Sequence, residues 1–391
     1  MVAGFALLLT ALGCQPTTKT APTGADRDAD RLARQQSVRD HLEQTYAIGP
    51  VSAAVFGYDV QWQFPVPGRQ IEYMSPQADR LFIVTAVNDL ICVQADNGQR
   101  IWNVSVAGRL QNVHSITYLP SLELVLVLAD NMMLTLDSNT GMTKASALGT
   151  PQHELEWLAS TPGVLQGEYL IYGSRSGQLI WQAWQIGFAW KAYQVAHALR
   201  LSPILRNGIV CCTSPEGIVS AFSASTASQL WSTELLDNIV ADPAASDHAL
   251  YIAGVDQHLR AFDLHSGRTI WRVLTESALV DSPVLIGDRV YQQIPSQGLA
   301  AFTAMPVNKL DGDRKWICPT NTGSVLTRNG DTLITWDANS RTIATVSAMQ
   351  GTAVKSKEFS RITNVVSDGL EEGTLFAISE DGRLVCLSPL R

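Results

Sequence analysis

The chain has few cysteines, and none in the spacing that metal sites use. Its six are Cys14, Cys92, Cys211, Cys212, Cys318 and Cys386. No Cys-x-x-Cys occurs among them, so a zinc site is not suggested. If Cys14 carries lipid, the five that remain are an odd number, which argues against a full disulfide framework. Charge is also sparse, at 16% Asp, Glu, Lys and Arg, with a net charge of -8. There is no Lys/Arg block, so nucleic acid is not an expected partner. No GxSxG and no P-loop occur, and the seven histidines are scattered without a spaced ligand pair. What is abundant is apolar character, 46% of residues, ample for a large core and too much for disorder.

The apolar run Val2 to Gly13 stops short of the roughly 20 residues that span a bilayer. It has the form of a signal-peptide apolar region. Ala11-Leu12-Gly13-Cys14 closes it and resembles a bacterial lipobox, with Cys14 as the lipidation residue. Two features depart from that pattern: Ala11 stands where Leu is usual, and no basic residue precedes the run. Residues 1–14 are therefore expected to be an export signal, and a lipid anchor would make the membrane a partner. Residues 15–57 read as linker and short helix. Gln15 to Ala25 is a Thr/Pro/Ala-rich tether. Asp26 to Tyr46 carries dense mixed charge with helix formers and a weak apolar stripe, and Gly49-Pro50 ends it.

From residue 58 to 391 one unit recurs. Its clearest copy is Asp247-His-Ala-Leu-Tyr251, then His258-Leu-Arg-Ala-Phe-Asp263, then Ser266-Gly267-Arg-Thr-Ile-Trp271. Alternating strands separated by Gly and Asp turns predict antiparallel hairpins. The first apolar residue of the unit falls at Leu81, Leu124, Leu170, Ile209, Leu250, Val290, Leu333 and Leu375, at intervals of 39 to 46 residues. A turn glycine recurs at Gly98, Gly141, Gly187, Gly267, Gly312 and Gly351, with Ala227 in its place once. Four residues later come Trp102, Trp231, Trp271 and Trp316, while Trp190 follows Gly187 by three. Large rings at equivalent positions are expected to lock unit against unit. A small residue precedes the turn by six in Cys92, Thr135, Ala221, Ala261 and Thr345. Ala183, Ala301 and Cys386 are assigned to the same place by local pattern. It is read as the tapering interior where the units converge.

About forty residues make one four-stranded sheet, which buries little alone and must stack on neighbours. An open stack would leave sheet faces bare, so a closed ring is favoured. The last unit lacks its final strand, and Tyr58-Asp-Val-Gln-Trp62 looks like that strand, with Trp62 in the tryptophan place. The expected fold is all-β: an eight-bladed propeller of four-stranded antiparallel blades, closed by an N-terminal strand.

The unit, an apolar strand, Gly-x-Leu-x-Ala-Phe-Asp, then Ser/Thr-Gly-x-x-x-Trp, resembles the PQQ-like, or quinoprotein-type, β-propeller repeat. Leu259 to Trp271 and Gly217 to Trp231 carry the resemblance best, and it covers about 330 residues. It implies the fold. It leaves two functions, because activity sits in sites grafted on folds. One group comprises PQQ- and calcium-binding dehydrogenases. The other comprises non-catalytic lipoproteins of the BamB type, which serve outer-membrane assembly. An export signal before a single ring looks like the second. That implies an envelope-anchored scaffold, monomeric, with other envelope proteins as partners and no cofactor; the alternative is a PQQ-dependent quinoprotein dehydrogenase.

Candidate chemistry is thin. Cys211-Cys212 lies in Gly208-Ile-Val-Cys-Cys-Thr213, aligned with the ordinary strand Ala249 to Gly254, so two small residues packing on opposite faces is the favoured reading. His153-Glu-Leu-Glu-Trp157 falls short of HExxH. By position, Pro295 to Gln297 and Asn308 to Lys315 are candidate partner loops between units.

Overall fold

The computed structural model describes residues 24–66, 70–145 and 149–390, and of residues 24–30 only the backbone course. Cys14, the apolar segment before it and most of the tether lie outside the described residues. Eight four-stranded antiparallel sheets follow one another. We number the blades by chain order: blade 1 spans 71–105, blade 2 113–154, blade 3 164–194, blade 4 204–234, blade 5 244–274, blade 6 284–318 and blade 7 324–358. Blade 8 takes three strands from 362–389 and its fourth, Tyr58–Pro65, from the start of the ring. Tyr58 pairs with Pro389 and Pro65 with Arg383, so the closing strand runs the full length of its partner.

The core is a set of eight layers between blades. Phe82 and Val84 of blade 1 cluster with Val125 and Val127 of blade 2. Leu250 and Ile252 of blade 5 cluster with Cys211 and Val219 of blade 4, and the other junctions repeat this. Second and third strands lie between two neighbours and are buried on both faces. This is why Leu124–Ala129 reads LVLVLA without a polar break. The alternation expected of half-buried strands survives only in the outer ones, such as Thr269–Leu274.

The turn glycines have positive φ. Gly98, Gly141, Gly187, Gly267 and Gly351 each donate N–H to the carbonyl four residues back, as Gly267 does to Asp263 at 2.9 Å. Gly312 reaches only three back, to Lys309 O at 3.2 Å. Asp263 Oδ1 in turn accepts from Ser266 N and Oγ, at 2.8 and 2.7 Å. The motif Asp-x-x-Ser-Gly is thus one closed hydrogen-bonded turn.

Trp62, Trp102, Trp231, Trp271 and Trp316 sit on fourth strands. Each donates Nε1–H to a backbone carbonyl of the following blade: Ala95, Ser138, Leu264, Ala304 and Ala348, at 2.8–2.9 Å. The glycine of that next blade lies under the indole. A Cβ at Gly98, Gly141, Gly267 or Gly351 would stand 2.4–2.8 Å from a ring carbon.

Blade 3 departs from the repeat pattern. Trp190 falls on a bulge of the outer strand, is 40% exposed, and stacks on Tyr169. A spacing of three instead of four puts it one place early. The indole that reaches blade 4 is Trp181 of the third strand, which donates to Ala224 O at 2.9 Å. Ala183 therefore does not occupy the small-residue place, which in this blade holds Trp181. The small residue itself is not at the converging interior. Cys92, Ala221, Ala261, Ala301 and Cys386 are third-strand residues directly opposite Trp102, Trp231, Trp271, Trp316 and Trp62. They leave room beside a broad ring, while first strands line the axis.

Before the ring lie α1 (Gly24–Thr45) and a second helix that the charge pattern did not separate from it, α2 (Pro50–Val55). α1 is largely exposed from residue 31 onward, and no helix of the described residues is long and apolar enough to cross a membrane. Glu43 joins the two helices, since its Oε2 accepts from Val51 N at 2.8 Å. Ile48, Ala53 and Phe56 then bury themselves in the layer between blades 7 and 8.

Candidate protein-docking face

Antiparallel connectivity sorts the loops. Turns between second and third strands share one face of the ring with the connections from one blade to the next. The turns between first and second, and between third and fourth, share the other. Pro295 to Gln297 is a second-to-third turn and belongs to the first face, whereas Asn308 to Lys315 lies on the other. Both fall within blade 6 and not between blades, because the unit boundary lies at the fourth strand and not at either turn.

The inter-blade face carries the most exposed leucines. Leu110, between blades 1 and 2, is 99% exposed, and Leu236, between blades 4 and 5, is 97% exposed. Val240 and Val280 on the same face are half exposed. Single exposed apolar residues are ordinary; here they flank a polar hub. Asp130, on the second-to-third turn of blade 2, meets His114 Nε2 at 2.8 Å and Arg175 of blade 3 at 2.7 Å. It also accepts from Asn112 N at 3.0 Å. Burial works to raise the Asp130 carboxyl, but the bonds from Asn112, His114 and Arg175 outweigh it and hold the group below its ordinary range. His114 and Arg175, with Ser160, Leu199 and Arg200, line a cavity of about 390 Å³ across blades 2 to 4. Arg175 and Arg200 give the cavity positive charge, and Asp130 pairs with Arg175, so the cavity suits a carboxylate flanked by apolar side chains. Motif spacing does not reveal this hub.

The other residues singled out in the sequence are packed away from such a face. Cys211 and Cys212 point into different inter-blade layers. Both are buried free thiols, and burial pushes Cys211 up to about 12 and raises Cys212 as well. Cys92 and Cys386 are buried and likewise pushed up to about 12. A thiol so disfavoured as thiolate is a poor nucleophile. His153 stands on the outer strand of blade 2 against Gly187, in the place an indole takes elsewhere. Among the described residues no group of three or more His, Cys, Asp or Glu is placed to hold a metal.

Fold and face together define an eight-bladed propeller of PQQ-type repeats whose exposed features are loops. Residues 59–174 and 166–390 match the family described as outer membrane protein assembly factor BamB, and the chain belongs to that family. No curated protein matches the chain. Among solved structures it is similar to BamB from Moraxella catarrhalis, with 17% identity and a TM-score of 0.65, covering 85% of this chain and 97% of that one. It is also similar to the computationally designed Ika8 protein (14% identity, TM-score 0.62, 82% and 96% covered). The C-terminal WD40 domain of Sif2 is a third (9%, 0.64, 85% and 98%). At such identities these likenesses speak for the fold alone.

Proposed function

We propose that this protein is a non-catalytic scaffold of the cell envelope that serves outer-membrane protein assembly by docking another envelope protein on its inter-blade face. Membership of the BamB family supports the setting. The observation that carries the docking face is the pairing of the fully exposed Leu110 and Leu236 with the Arg175–Asp130–His114 hub on one side of a rigid ring. A rigid scaffold lets loops bind with little ordering cost. Lipid on Cys14 and the tether after it would hold the ring near a membrane, with a second anchoring contact needed for stable attachment.

The test is photo-crosslinking in cells, with the probe at Leu110, Leu236 or Arg200, and at Met349 on the opposite face. A discrete envelope-protein adduct from the first three and none from Met349 is the expected result. Adducts from Met349 alone would move the site to the other face. The runner-up, a quinoprotein dehydrogenase, predicts stoichiometric PQQ binding with dye reduction on an alcohol or sugar, and that result would replace the scaffold reading.

A further inference from the structure

On the face opposite the docking face, one arc departs from the polar turns found elsewhere. Turns between third and fourth strands read Asp96-Asn-Gly-Gln99 in blade 1, Ser225-Thr-Ala-Ser228 in blade 4 and His265-Ser-Gly-Arg268 in blade 5. Blade 6 replaces that short turn with the longer stretch between Thr303 and Arg314, and blade 7 carries Met349 on its turn. Val307 is 83% exposed, Leu310 74% and Met349 71%, with Met305 and Val354 half exposed. Trp316 of blade 6 donates to Ala348 O at 2.9 Å, which sets the Met349 turn against the same blade junction. Grouped apolar side chains on a surface mark a contact site, where single ones do not. Met142 and Ile186 are exposed on the corresponding turns of blades 2 and 3; order, charge and the tether single out the blade 6–7 arc.

The loop that bears these side chains is ordered. Asp313 accepts from Lys309, from Lys315 at 2.6 Å and from Thr303 Oγ1 at 2.8 Å. Leu310 O accepts from Arg272 N, on the outermost strand of blade 5, at 2.9 Å. A loop so bonded has little order left to lose when its apolar side chains are covered. Three basic residues flank them, Lys309, Arg314 and Lys315, against Asp311 and Asp313. The nearest carboxylate of blade 7 is engaged in its own turn, since Asp331 accepts from Met349 N and Ser347 Oγ at 2.8 Å each. The N-terminal helices sit beside this arc. Lys355 Nζ, on the strand that follows Met349, donates to Val55 O at 2.8 Å, and Lys357 Nζ lies 3.7 Å from Glu43 Oε1. Cys14 precedes α1 by ten residues. The tether thus joins the ring next to blade 7, four blades round from blade 3 and the hub.

We propose that the blade 6–7 arc rests on a phospholipid surface, with Val307, Leu310 and Met349 entering the interface and Lys309, Arg314 and Lys315 at headgroup level. The proposal rests on the envelope setting of the proposed function. Interfacial binding grows with buried apolar area and with attraction to anionic headgroups. Lysine stems lie along apolar surface while their ammonium groups stay in water. One lipid chain alone gives marginal, reversible attachment, and this contact supplies the second. The hub of blades 2–4, on the other face, is then turned away from the bilayer and open to a partner.

Lipid quenching tests this. The full chain is added to vesicles of phosphatidylethanolamine and phosphatidylglycerol that contain nitroxide-labelled lipid, with one fluorescent amino acid at Val307, Met349, Leu110 or Leu236. Quenching at Val307 and Met349, and none at Leu110 and Leu236, is the expected result. Val307→Asp combined with Leu310→Asp should reduce the quenching at Met349 several-fold, because it removes apolar area from the interface. Both side chains are exposed, so the double variant should melt with the wild type. Equal quenching on the two faces, quenching on neither, or quenching at Met349 that survives the double variant overturns the proposal. The crosslinks in cells decide the docking reading separately, because they report protein neighbours and not lipid.

Discussion

The indole of Trp231 lies flat against Gly267 of the next blade, so close that a Cβ on Gly267 would stand 2.6 Å from its Cδ2. Gly267 also has φ of 69°, where L side chains are strained. One glycine thus meets two demands, a left-handed turn and a bare surface for the neighbouring ring. Gly267→Ala should cost about 2–4 kcal/mol, since clash and strain add. Ala227 holds the same turn at φ of 53°, so Ala227→Gly should stabilise by about 0.5–1 kcal/mol. Urea denaturation of both variants checks the opposite signs.

Trp271 is fully buried and donates to Ala304 O at 2.9 Å. Trp271→Phe removes the donor and leaves a small void. A loss of about 2–4 kcal/mol is expected, read as a lower denaturation midpoint with an unchanged slope.

Ring closure depends on Tyr58. Its hydroxyl donates to Gly373 O at 2.9 Å and accepts from Asn329 Nδ2 at 2.9 Å. Tyr58→Phe leaves both partners short of a bond inside the closing junction and should cost about 1–3 kcal/mol. Hydrogen exchange should report the loss first in blade 8, where the ring is joined by hydrogen bonds between the two ends of the chain.

Asp130 gives a pH signature. Its carboxyl is held below the ordinary range in the folded protein. It therefore contributes stability above the unfolded pKa, about 3.9, and that contribution is lost as pH falls through the lower folded value. Asp130→Asn should be less stable than wild type at neutral pH. The gap should narrow steadily in acid below about pH 4, as paired denaturation curves would show. A gap that widened in acid would contradict the assignment.

Leu110→Glu and Leu236→Glu test the docking face without touching the core. Both side chains are almost wholly exposed, so stability should stay within about 0.5 kcal/mol of wild type. Capture of the partner that crosslinks at these positions should fall several-fold.

The sequence by itself determined the period, the blade count, the all-β class and the strand that closes the ring. Each of these can be read from local residue spacing without knowing what the residues touch: the turn glycine, the apolar second strand, the tryptophan four residues after the turn, and the strand missing from the last unit. Tertiary structure alone decided the rest. Trp190 and Trp181 lie nine residues apart in one blade, and composition cannot say which reaches the next. A one-place change in spacing put Trp190 on a bulge, and the third strand supplied the indole instead. The small residues were visible, but their partners were not, because the residue opposite depends on pairing register across two strands. Asp130, His114 and Arg175 come from three separated segments. Strand pairing within blade 2, Val113 opposite Ala129, sets His114 beside Asp130, and only the packing of blade 3 against blade 2 adds Arg175, a contact between blades that no local pattern encodes.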